Sequence, residues 1–149
     1  MKIIAFTLAM VFSQVGQLSA QSDLNLGVLM IRLENLAFAK GTVQMALYDS
    51  EESFMDVEKA KLYSFPVKNP DTLSCQIKDL RPGTYAIAFF HDEDDDGALN
   101  TNFFGIPQEP YGFSRQCPSK WRPPTFDEAK IEIKAGANQI VVPLQRWRL

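Results

Sequence analysis

Histidine is almost missing from this chain, with one in 149 residues, and cysteine occurs only twice. That stock falls short of the Cys/His sets that hold zinc, and no serine or cysteine nucleophile motif compensates for it. A strong charge of either sign is absent too: 15 basic against 18 acidic residues leave a formal net charge of −3. No broad electrostatic field is available for polyanions, which sets nucleic acid aside as a partner. The chain also lacks any apolar run of the ~20 residues needed to span a bilayer as a helix. Long stretches of 3.6-residue periodicity are missing as well, which argues against helical bundles and α/β layers.

What is present begins with an export pattern. Lys2 precedes an apolar stretch from Ile3 to Phe12, and the segment ends on Leu18-Ser19-Ala20. Charged start, apolar middle and small terminal residue describe a secretory signal over residues 1–20, with Leu18 standing where a smaller residue is usual. The expected mature chain is one domain over residues 21–149, in the periplasm or outside the cell, a length that suits a single packed core.

Period-two alternation then dominates. Leu29, Ile31 and Leu33 alternate with Met30 and Arg32, and Val43, Met45 and Leu47 alternate with Thr42, Gln44 and Ala46. With a short, glycine-ended link at residues 37–41, these predict a hairpin. Strand-like runs at 61–67 and 72–77, separated by Asn69-Pro70-Asp71, predict a second hairpin. Residues 129–134 and 139–144 predict a third, across Gly136-Ala137-Asn138. Thr84 to Phe90 is apolar at both alternating sets and predicts a central strand. About seven short strands specify an all-β fold, an antiparallel β-sandwich of immunoglobulin-like or prealbumin-like type.

Helical character is confined to turns. Asp49 with Glu52 and Thr125 with Glu128 have capping-box spacing. The second pair closes a long segment, residues 102–128, rich in proline and aromatics. Its apolar area predicts an ordered flap, with Phe103, Phe104 and Phe113 turned inward and Tyr111 and Trp121 offered for ligand contact through their polar handles.

The most distinctive chemistry sits at the end of the central strand, in DEDDDGALNTN. Asp92, Asp94 and Asp96 alternate and Gly97 follows, as at the opening of a calcium loop. Alternating carboxylates in a curled loop point at one centre, and glycine permits the sharp turn. The Ala98 carbonyl and Asn100 fall where further oxygen ligands belong, with Leu99 expected to anchor the loop. Phe103 occupies the place of the bidentate glutamate of an EF-hand, and flanking helices are missing, so a calcium site here is an isolated variant. No other cofactor is indicated, and no catalytic residue is assigned.

His91, beside the cluster, invites a hydrolase reading with an acidic-loop carboxylate. By alternation it continues the face of Tyr85, Ile87 and Phe89, which points instead to a hydrogen-bonded histidine at the sheet end. Cys75 and Cys117 either pair after export, closing a loop whose chain entropy is worth on the order of 4 kcal/mol, or stay apart as thiols.

The blocks DLRPGTYAIAFFHDEDDDGALNTNFFGIPQEPYGFS and RPPTFDEAKIEI, following GTVQMALYDSEESF, resemble a family of small secreted bacterial proteins of unknown function. The resemblance implies export and a compact sandwich related to prealbumin-like or carboxypeptidase-regulatory-like modules, and it implies no activity. The expectation is an exported, non-enzymatic module that is structural or binds a ligand or envelope component. A hydrolase built on His91 and a carbohydrate-binding module built on the flap are the alternatives.

Overall fold

The computed structural model describes residues 25–117 and 122–147. The expected signal segment and Trp121 therefore lie outside the described residues. Eight strands, β1 to β8 in chain order, run Gly27–Leu36, Thr42–Tyr48, Lys61–Pro66, Asp71–Leu80, Gly83–Asp92, Tyr111–Phe113, Ile131–Ile133 and Gly136–Pro143. They form two sheets, one ordered β4-β1-β8 and the other β3-β2-β5-β6, with β7 also on β5. The all-β sandwich expected from the alternation is present.

The apolar positions of that alternation meet between the sheets. Leu29, Ile31 and Leu33 of β1 and Ile77 of β4 face Val43, Met45 and Leu47 of β2 and Ile87 and Phe89 of β5 in one buried cluster. Removing this surface from water is the main stabilising term, at about 25 cal/mol per Å² of apolar area. The central position of β5 is also as expected: β2 pairs along one edge, and β6 and β7 share the other.

The three hairpins are not formed. β1 pairs with β4 and β8, while β2 pairs with β3 and β5. β3 and β4 lie in different sheets, and so do β7 and β8. Each short link therefore carries the chain from one sheet to the other. The physical reason is that each of these strands has a single apolar face. Two such strands bury their apolar faces equally well by facing each other across the core as by pairing edge to edge. One pairing also departs from an all-antiparallel layout, because β8 runs parallel to β1 from Gly27↔Gly136 to Glu34↔Pro143.

Helix is brief. The turn after β2 ends in a 3-10 turn at Val57–Lys59, capped by Asp56 rather than by Asp49. The second capping box is formed: Thr125 and Glu128 cap α1, Phe126–Ala129. Among the described residues no helix is long and apolar enough to cross a membrane.

Candidate functional site

Strand β5 ends on two consecutive buried residues that point to opposite faces, as successive strand residues must. His91, 0% exposed, lies opposite Val43 on the core side. Its Nε2 lies 2.7 Å from the Lys40 carbonyl oxygen, so this nitrogen carries the proton and donates. Among the described residues its Nδ1 has no hydrogen-bond partner. The imidazole is thus held in the core and turned away from the acidic loop, and the two halves of the hydrolase reading are not brought together.

Asp92, 1% exposed, turns the other way, under the loop that follows it. Its Oδ2 accepts from the Gly97 amide at 2.9 Å and from Gln44 Nε2 at 3.4 Å, and its Oδ1 accepts from the Asp96 amide at 3.2 Å. One carboxylate therefore curls residues 92–97 back on themselves. Asp95 with φ 58° and Gly97 with φ 82° take the left-handed conformation that this curl requires. Asp96 Oδ1 in turn accepts from the Ala98 amide at 2.8 Å, and Asn100 Nδ2 donates to Asp94 Oδ2 at 2.9 Å. The outcome is a cluster in which one oxygen from each of Asp92, Asp94 and Asp96 lies within 4.8 Å of the others. Three hard oxygen donors at that separation suit calcium or another hard cation better than a soft metal.

Two neighbouring acids have other partners. Glu93 pairs with Arg146, and Asp95 accepts from Thr42 Oγ1 at 2.8 Å. Leu99 does not anchor the loop: it is 36% exposed and lines a shallow groove with Met55, Phe104, Ile106, Pro107 and Tyr111. Tyr111 is half-buried, in a T-shaped contact with Phe113, and lines the same groove.

Glu109 is the residue that sequence reasoning missed. It is buried, its Oε1 accepts from the Glu93 amide at 2.8 Å, and its Oε2 accepts from the Asn100 amide at 3.0 Å. The two ends of the acidic loop are thereby fastened to one carboxylate. The only hint in the sequence is an acid between Gln108 and Pro110, amid aromatics and prolines, without periodicity to place it.

Beyond Asn100 the chain forms a narrow stalk. The Gln108 amide donates to the Asn100 carbonyl, and Thr101 bridges Pro107. At its tip Phe103 and Phe104 are 98% and 81% exposed, which reverses the expected inward packing. Five residues of turn, Asn102 to Ile106, hold the two rings beyond the last paired position, where no sheet face exists to receive them.

Cys75 and Cys117 stand as free thiols. Cys75 is on β4 of the three-stranded sheet, where burial pushes its pKa up to about 11, and Cys117 follows β6 of the other sheet.

Compared with known families, residues 31–141 match one described as uncharacterized proteins conserved in bacteria (DUF2141). No curated protein and no solved structure gives a match.

Proposed function

Because the chain belongs to this family of bacterial proteins, a match that spans the sandwich and the acidic loop alike, we propose that it is an exported sandwich module with a structural or ligand-binding role, stabilised by calcium. The apolar start of the sequence supports export to the periplasm or the exterior. The two-layer layout supports kinship with prealbumin-like and carboxypeptidase-regulatory-like modules. Calcium is assigned to Asp92, Asp94 and Asp96, with the Ala98 carbonyl and Asn100 completing the set. The carrying observation is the gathering of three carboxylate oxygens within 4.8 Å at the end of a core strand.

Like charges so close repel one another, and a divalent cation among them removes that repulsion in the folded state alone. Bound calcium should therefore raise the melting point. With the weak affinity common in extracellular modules, Kd around 10⁻⁴ M, about 10 mM calcium would add roughly 2.7 kcal/mol over chelator. The Asp94→Asn/Asp96→Asn double variant should lose this response while melting no lower than the parent in chelator. An identical melting point of the parent chain in chelator and in 10 mM calcium would sink the assignment.

A further inference from the structure

The stalk that leaves the acidic loop ends in an apolar wedge whose surroundings specify what it enters. Phe103 and Phe104 meet edge to face, with ring centroids 5.5 Å apart, and both stand almost wholly in water. Adjacent exposed aromatics of this size mark a contact surface rather than chance exposure. From Gly97 to Gln108 the sequence carries no Asp, Glu, Lys or Arg, so no charge has to be stripped of water if the tip enters an apolar phase.

The turn also pairs most of its own amides. The Asn102 amide donates to the Ile106 carbonyl, and the Gly105 amide donates to the Asn102 carbonyl, both at 2.9 Å. The amides of Phe104 and Ile106 both donate to Asn102 Oδ1, at 2.9 and 3.0 Å. Four amides of the turn are thus already paired, which lowers the cost of bringing irregular backbone to the headgroup level of a bilayer, where the remaining polar groups still meet water.

From these features we infer that the Phe103–Phe104 tip inserts into the headgroup–acyl boundary of a phospholipid bilayer and attaches the sandwich to a membrane surface. The charge at the foot of the stalk selects the kind of bilayer. Asp94, Asp95 and Asp96 are exposed there, and they disfavour approach to an anionic surface. The surface that fits is net neutral, built of zwitterionic phospholipid. Attachment through two rings is reversible, as it is for any anchor of modest apolar area. It does not rest on the calcium assignment, because the wedge and its uncharged flanks are present without a cation.

The test is flotation with phosphatidylcholine vesicles in the presence of EDTA, so that its failure is separable from failure at the metal site. A chain begun at Gln21 keeps every strand and every core residue described above, and removes the apolar N-terminus as a source of binding. This chain should float with the vesicles. The Phe103→Ser/Phe104→Ser variant, with an unchanged melting point, should show about a tenfold or greater fall in partition coefficient, the change that 1.4 kcal/mol of lost burial produces. Vesicles made half anionic should bind the parent chain less well in the same buffer. No flotation of the parent chain, or equal flotation of parent and double variant, overturns the inference. A parent dimer that the double variant dissolves, without vesicle binding, would assign the tip to a second copy instead.

Discussion

Gly41 shows how tightly single residues constrain the site. A Cβ there would lie 2.1 Å from the Asp92 carbonyl oxygen, and its φ of +74° is one that side chains resist. The link from β1 to β2 thus presses against the strand end that starts the acidic loop. Gly97 has a similar φ, +82°, but open space around it. The two glycines therefore separate steric crowding from backbone strain. Gly97→Ala should cost about 1 kcal/mol, the ordinary penalty of a left-handed alanine. Gly41→Ala should cost about 2 kcal/mol or more, lowering the melting point by roughly 5–10 °C in a calorimetric comparison. Equal losses in the two variants would show that contact with Asp92 contributes nothing.

At the scale of elements, α1 offers a pH-dependent cap. Arg122 grips Glu128 through two nitrogens at 2.7 and 2.8 Å, and the Thr125 amide donates to the same carboxylate at 2.8 Å. The Arg122 hydrogen bonds, followed by the Thr125 amide, hold the Glu128 pKa down to about 2 from an ordinary 4.5. A carboxylate depressed in the folded state stabilises fully above its unfolded pKa, and the contribution disappears as pH falls through the folded value. The loss should run from about pH 4.5 toward 2. In acid titrations of stability, Glu128→Gln should be less stable than the parent at neutral pH and converge on it near pH 2. Parallel curves across that window would refute the linkage. This cap was legible from Thr125 and Glu128 because capping is local chemistry. Strand extents and inward residues were legible too, since a period of two reports which side chains share a face. Strand partners were not, because β1 and β2 carry the same alternation whether they pair or face each other. The exposed Phe103 and Phe104 escaped for a related reason: composition says that rings prefer burial, whereas Asn102 and the turn it ties decide whether a surface is within reach.

For the whole molecule, stability is expected to be graded outward from the middle strands. β1 lies between two neighbours in its sheet, as do β2 and β5 in theirs, whereas among the described residues β3, β4 and β8 each pair along one edge only. Leu29, Ile31 and Leu33 of β1 are among the most completely buried residues. Amide exchange followed by mass spectrometry should find the slowest sites in β1, β2 and β5, with β3 and the Asn102–Ile106 tip exchanging orders of magnitude faster. Uniform protection across both sheets would contradict that grading.

The parallel seam between β1 and β8 also governs when the architecture can exist at all. Gly27 finds its neighbour Gly136 only after more than a hundred intervening residues, so the ribosome must release that whole stretch before the first strand can be flanked on both sides. Closing so wide a loop is slow. During synthesis the earliest strand must wait for β8 before its second edge is covered.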